Sequence, residues 1–350
     1  MMQIPGRTRF TLMLFIAFLV SIGFAGNALA MREAGGASQI WKVATLAPKG
    51  VGWAIHTENL LLPWVQETSK GDVYIKIYWG GIMGDEKAVI SKMRMGQLQG
   101  GGFSGQGATL LCPEFAVMQL PFMFNDWEEV DYIKDKMTVA MDTYMDKHGF
   151  KLLLWNDQDF DQIYSTRSPL GNLAQLRRAR FFTWYGRLEE EVFKVMGITP
   201  VTVETTEAPT ALRQNVADSA IAPALFVVGA QLYASVKYVN PVRIRYSPGP
   251  VVVTNAAWEE IPANLQASFA TDRYRLGREY NALVREDNAK GLQALIRYGI
   301  KETAMTPEEF AALKDLTRPI WDEMAGVLYP KELLDELIGH LEAYRANKKQ

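Results

Sequence analysis

The chain reads as an α/β protein built in two domains, and three observations carry that reading. Short β-prone runs at 41–46 and 74–79 flank a stretch that places Trp53, Leu60, Leu61, Trp64 and Val65 on one helical face, which is a βαβ opening. A second βα series begins after Asp157. The 350 residues, about 320 once a leader-like first thirty are set aside, exceed what one core usually holds.

The remaining elements follow from apolar spacing and capping residues. A helix opens at Asp85 with Val89, Ile90 and Met93 inward. The next opens at Asp126, where Glu129 three residues on completes a capping box, and buries Val130, Ile133, Met137, Met141 and Tyr144. Residues 151–155 form a buried-type strand. The second series holds strands at 162–165 and 180–184, a helix inward at Leu188, Val192 and Met196, and a strand at 201–203. Strand-like stretches at 238–244 and 250–254 precede a helix over about 262–296, inward at Leu276, Tyr280, Leu283, Leu292 and Leu295 and long enough to bridge two domains. Thr306-Pro307-Glu308-Glu309 gives an N-cap, a first-turn proline and an acid, and starts two closing helices.

Composition narrows the function. Arg7 and Arg9, the apolar run 12–20 and Ala28-Leu29-Ala30 have the layout of a secretory signal peptide over 1–30, with the mature chain expected from Met31. The apolar run is too short for a membrane span, so the address is periplasmic. Without the two leader arginines, 35 basic residues face 39 acidic ones, a net charge of −4. Arg177-Arg178 and Lys348-Lys349 are too short to form a footprint on a polyanion, so no nucleic-acid partner is expected. Cys112 is the only cysteine, which excludes an intramolecular disulfide. Set between Leu111 and Pro113 with no His or Lys beside it, Cys112 reads as a buried small apolar residue.

Catalytic and cofactor motifs fail on inspection. Gly102-Phe103-Ser104-Gly105-Gln106 lacks the last glycine of a nucleophile elbow, and Gly105-Gln106-Gly107 lacks the third glycine of a dinucleotide fingerprint. His56, His148 and His340 fall on separate helices or helix ends without metal-ligand spacing. Asp157, Asp159 and Asp161 alternate, but Gln162 and Ser168 stand where a calcium loop needs Gly and Glu. Asp157 and Asp159 read as a solvated or Arg-paired edge. No enzyme, cofactor or metal is expected.

Two segments carry more. In GGIMGDEKAVISKMRMGQLQGG, from residue 80, a glycine turn ends a strand, an acidic pair opens a helix, and a second glycine cluster offers bare backbone for close approach by a ligand. PEFAVMQLPFMFNDWEEV follows from residue 113. With the leader and TEAPTALRQNVADS at Thr206, they resemble the solute-binding subunits of TRAP (tripartite ATP-independent periplasmic) transporters, the DctP-type family. The resemblance implies a two-lobed periplasmic-binding-protein-like fold with a long helix bridging both lobes. Lobe I is expected over 38–157 plus about 240–275, and lobe II with the C-terminal helices over 158–239 plus about 276–345. It also implies closure over a small solute and delivery to membrane subunits. An interaction protein working with a periplasmic tetratricopeptide-repeat (TPR) partner is the alternative.

Set against the family pattern, the chain departs at the solute contacts. The arginine that pairs with a solute carboxylate falls on Phe182 in Arg180-Phe181-Phe182, a second arginine falls on Asp161, the asparagine of Q-E-N-P falls on Ala222, and an acidic first-lobe position becomes Ser104. Phe182 and Trp184 are expected as a cleft wall, with lobe core as the competing reading, and Asp161 as a group that takes hydroxyls or a cation. Trp53, Phe103 and Met83 are further wall candidates. Arg180 and Arg187 are the side chains that could restore a carboxylate clamp. A neutral or apolar solute is therefore expected, because an enclosed carboxylate without a guanidinium costs roughly 3–5 kcal/mol.

Overall fold

A computed structural model describes residues 36–184 and 186–348; the expected leader lies outside the described residues. β1 (Gln39–Thr45) leads to α1 (Gly52–His56), which runs on through a π-helical turn (Thr57–Leu61) into α2 (Leu62–Thr68). Leu62 N–H donates to Thr57 O five residues back, and Pro63, which has no N–H, follows directly, so the four-residue spacing is not restored there. β2 (Val73–Tyr78), α3 (Glu86–Arg94), β3 (Gly100–Gly102) and α4 (Gly105–Leu111) come next, then a 3₁₀ turn (Pro113–Gln119) and α5 (Trp127–Lys147). Beyond these lie β4 (Phe150–Ser165), α6 (Leu173–Leu176), β5 (Phe182–Thr183), α7 (Arg187–Met196), β6 (Val201–Thr202), α8 (Ala208–Arg213), β7 (Ser219–Ala222) and α9 (Ala224–Gly229). The chain then forms β8 (Tyr238–Thr254), α10 (Asn255–Glu259), α11 (Ala263–Tyr298), β9 (Lys301–Glu302), α12 (Pro307–Thr317), α13 (Ile320–Glu323) and α14 (Lys331–Lys348). No helix among the described residues is long and apolar enough to cross a membrane.

The helix starts form as the sequence expects. Asp85 accepts from Ala88 N at 2.7 Å, Asp126 from Glu129 N at 2.9 Å and Thr306 from Glu309 N at 3.3 Å. Glu129 reaches back to Asn125 N, one residue before the cap, at 2.7 Å. On α5, Val130, Ile133, Met137 and Met141 are fully buried, and Met145 replaces Tyr144 at the end of the stripe.

One mixed sheet in the order β2-β1-β3-β8-β4-β7, with β9 on β8, joins both lobes, and β5 pairs β6 apart from it. β1 pairs β2 and β3 in parallel; β8 runs antiparallel to β3 and β4. The stretches expected as separate strands at 151–155 and 162–165, and at 238–244 and 250–254, are single strands of 16 and 17 residues. They pair along nearly their whole length, with register shifts at Leu152/Leu154, Asp157/Asp159 and Asp161/Ile163. Pro248-Gly249-Pro250 reads as a break in sequence, yet it lies opposite 155–157, beside the middle shift, where a missing N–H is tolerated.

α11 spans the two lobes. Its first turns bury Leu265, Phe269, Leu276 and Tyr280 with Trp41 and Trp64, and its end buries Leu295 with Tyr164, Phe182 and Ile300. Leu283 and Leu292, expected inward, are half-buried, and Val284 takes the buried position between them. The phase differs because two buried asparagines share the inner stripe. Asn281 accepts from Asp157 N at 2.9 Å and donates to Trp155 O at 3.2 Å; Asn288 accepts from Leu225 N at 2.9 Å and donates to Gln158 O at 2.7 Å. Each amide thus satisfies backbone groups that the middle register shift of β4 or the start of α9 would leave unpaired. Replacing Asn281 by Ala strands Asp157 N and leaves Trp155 O with Lys134 Nζ alone, and urea denaturation should show a loss of about 1–3 kcal/mol; a variant within about 0.5 kcal/mol of the parent would mean these bonds are dispensable.

Candidate functional site

A cavity of about 380 Å³ lies where the carboxyl ends of β1, β2 and β3 face the turns that follow β5 and β7. Crevices beyond strand ends are where ligands enter α/β sheets. One wall carries Trp53, Trp79, Phe103 and Ser104; the facing wall carries Trp184, Thr205, Thr206, Pro223, Leu225 and Phe226. Asn156, Asp157 and Gln158 form the floor together with Gly249 and Tyr280. Three consecutive residues of a regular strand cannot share one face, so the shift at Asp157/Asp159 is what brings all of 156–158 to the cavity.

Each wall residue is held from behind. Tyr280 donates to Trp53 O at 2.8 Å and meets Thr57 Oγ1 at 3.1 Å. Ser104 caps α4, and its N–H and hydroxyl both donate to Glu86, at 2.5 and 2.7 Å. Glu86 is 4 % exposed and also lines the cavity. Burial pushes its carboxyl above the ordinary range, against the pull of the Ser104 and Gly107 donors. Trp184 stacks on Phe182 at 5.1 Å and packs on Phe226 at 5.1 Å.

The sequence candidates divide between cavity and scaffold. Trp53, Phe103, Ser104 and Trp184 line the cavity; Phe182, Asp161, Ala222, Arg180, Arg187 and Met83 do not. Phe182 is 1 % exposed beneath Trp184 in the second-lobe core, so the wall is made by the ring two residues on. Asp161 has no exposed surface: Arg245 reaches it at 2.7 Å and reaches Glu189 at 2.7 Å with its other arm. Ala222 is buried, and the cavity is touched instead by Pro223. Arg180 Nε reaches Asp218 at 3.4 Å and Arg187 pairs with Glu191 at 3.1 Å. The glycine cluster is also corrected. A Cβ at Gly100 would stand 2.6 Å from Val252 O and one at Gly101 2.4 Å from the Phe103 ring, so these glycines admit the protein's own strand and ring; Gly102 alone of the three touches the cavity.

The acidic run on β4 is buried, and for Asp157 the Arg-paired reading is the one found, not the solvated one. Asp157 meets Lys134 at 2.7 Å, Arg285 at 2.6 Å and the Tyr246 hydroxyl at 2.7 Å. Burial alone would raise its pKa, but Lys134 and Arg285 outweigh it and hold the carboxyl below its ordinary value. Asp161 is pushed up to about 6 by burial, in spite of Arg245. Asp159 is pushed up to about 7 by burial, with the neighbouring carboxylates Asp161 and Asp157 adding to the shift.

Among the described residues, no lysine or arginine lines the cavity; its ionisable wall residues are Glu86, Asp157 and Tyr280. Sequence reasoning missed Glu86, Trp79, Asn156, Gln158, Thr205 and Phe226. Trp79 and Glu86 flank the glycine turn and carried a signal; Asn156 and Gln158 carried none, since only the register shift turns both inward.

Residues 48–326 match the family described as bacterial extracellular solute-binding protein, family 7 (DctP). The chain belongs to that family. The 2,3-diketo-L-gulonate-binding periplasmic protein of Escherichia coli is 23% identical over 238 residues, 68% of this chain and 73% of its own. A TRAP periplasmic solute-binding protein of Ochrobactrum anthropi, solved with its C-terminus in the ligand-binding pocket, superposes with a TM-score of 0.78 at 24% identity, covering 89% of this chain and 97% of its own. One from Haemophilus influenzae with bound L-gulonate gives 0.80 at 19% identity over 86% and 99%. The DctP-type chain thus has the two-lobed TRAP receptor fold, in a family of transport proteins that bind solutes outside the cytoplasm for membrane subunits.

The buried acids of this DctP-type chain make stability depend on pH. Between about 3.8, the ordinary value, and about 7, the folded state holds a proton on Asp159 that the unfolded state has lost, so this contribution falls as pH rises through that window. Asp159→Asn removes it, and the melting temperature of the variant relative to the parent should climb from pH 4 to pH 8. Parallel profiles would show that Asp159 ionises normally.

Proposed function

We propose that this DctP-type chain is the periplasmic receptor of a TRAP-type transporter whose cleft closes over a neutral, largely apolar solute, and that it performs no catalysis. The observation that carries the reading is the composition of the cavity wall: five tryptophan and phenylalanine rings, Trp53, Trp79, Phe103, Trp184 and Phe226, with two carboxyl groups and, among the described residues, no cation. Each apolar side chain that a solute covers contributes roughly 1.5–3 kcal/mol, while a carboxylate brought beside Glu86 and Asp157 loses its water without gaining a partner. The guanidinium of Arg245 is engaged by Asp161 and Glu189, and that of Arg285 by Asp157 and Asp131.

The relatives' names point the other way, since 2,3-diketo-L-gulonate and L-gulonate are sugar acids. At 19–23% identity the fold is shared, and the wall chemistry is each chain's own. Export by a cleaved leader over 1–30 belongs to the same proposal. The tetratricopeptide-repeat partner is the competing reading, and its co-purification from periplasm with an empty receptor would replace solute delivery as the function.

Thermal-shift assays test the solute class. Succinate, pyruvate, sialic acid and L-gulonate at millimolar concentration should leave the melting temperature unchanged, and a clear rise with any of them overturns the neutral-solute reading. Native mass spectrometry of freshly purified protein should reveal the retained solute, and Trp184→Ala should weaken its binding by about tenfold or more. Phe182→Arg should lower stability without creating acid binding, because position 182 is enclosed by core.

A further inference from the structure

Away from the cavity, three metal-ligand side chains converge. Cys112 stands between α4 and the 3₁₀ turn, Glu114 lies two residues on in that turn, and His148 follows the last residue of α5. Their separation in sequence hid them: His148 arrives from 34 residues beyond Glu114. Cys112 Sγ is 3.2 Å from Glu114 Oε2, His148 Nε2 is 2.9 Å from the same oxygen, and one ligand atom from each residue lies within 4.8 Å of the others. Tetrahedral zinc, with bonds of about 2.0 Å to nitrogen and oxygen and about 2.3 Å to sulfur, spaces its ligand atoms by roughly 3.2–3.8 Å. The three atoms reach that spacing by side-chain shifts on the order of 1 Å.

The surroundings favour a cation. Among the described residues, Glu114 has His148 as its only salt-bridge partner. Tyr144, one turn before His148, has its phenol pushed up by burial and then by Glu114, Glu332 and Glu336, so carboxylates gather on this side of α5. The carbonyl end of α5 adds partial negative charge at the same place.

We propose that Cys112, Glu114 and His148 form a site for a zinc-class divalent ion, with the fourth position open to water at the half-exposed His148. Binding displaces the thiol proton to solvent, uses the lone pair of His148 Nε2 with the ring proton on Nδ1, and involves no oxidation. The ion would fasten the end of α5 to the α4 junction, outside the solute cavity, so the site stands whether or not the solute reading holds.

Titration of chelator-treated protein with Co²⁺ tests it. A sulfur-to-cobalt charge-transfer absorption should appear, saturate at one ion per chain and vanish when Zn²⁺ is added, with Zn²⁺ also raising the melting temperature. Cys112→Ser should lose the charge-transfer band, and His148→Ala should weaken Zn²⁺ binding by about tenfold or more. Absence of the band in the unmutated protein at excess Co²⁺ overturns the proposal without recourse to any variant, as does equal Zn²⁺ affinity in the parent and Cys112→Ser.

Discussion

The Asp157 carboxylate is the constraint on which the rest of the molecule depends. It has no exposed surface, and it sits at the register shift of β4 where the two lobes meet the cavity floor. Its neighbours come from three other elements: Lys134 of α5, Arg285 of α11 and Tyr246 of β8. Arg285 continues to Asp131 on α5 and lies 4.2 Å over the Trp127 ring. Removing the carboxylate would leave the buried Lys134 ammonium without a carboxylate partner and Arg285 with Asp131 alone. The strand, two helices and the cavity floor are therefore fixed relative to one another through one side chain.

That arrangement determines what the cleft offers. A guanidinium becomes a solute clamp only if it enters the cavity with its charge available. Here Arg245 is held between Asp161 and Glu189, and Arg285 between Asp157 and Asp131, so these two guanidinium groups act on the scaffold. Asp157, read in sequence as part of a solvated or Arg-paired edge, and Asp161, read as a cleft group, are partners that hold those cations on the scaffold. In the proposed reading, shape and aromatic surface are then the main means of recognition, with Trp184 braced by Phe182 behind it and Phe226 beside it.

Much of the fold was legible, and the reasons are local. Asp85, Asp126 and Thr306 start helices because their side chains meet backbone donors within one turn, a relation that sequence spacing captures. The long helix was legible from its length and apolar repeat, but its phase was displaced by Asn281 and Asn288, polar residues whose burial follows from partners more than 60 residues away. The wall was read half correctly for a similar reason. Trp53 was found by its position at a strand-to-helix turn and Trp184 by sharing a strand face with Phe182, whereas Asn156 and Gln158 are turned inward by a register shift that no local pattern announces. Phe182 was placed by alignment to a family arginine; a short strand leaves the sheet at Thr183, and the next ring takes the exposed side.

The paired long strands also explain why polar bonds, and not apolar packing alone, accumulate between the lobes. β4 and β8 cross from one lobe to the other as a ladder interrupted at three places, and each interruption frees backbone groups that apolar side chains cannot satisfy. Asn281, Asn288 and the Asp157 cluster supply those partners at the middle interruption; Asp161 and Arg245 stand as a pair directly before the last one. A junction held by directed bonds keeps its register while the flanking segments bend. A receptor that closes around its ligand needs lobes that move as units about a fixed register, and directed bonds at the crossing strands provide it.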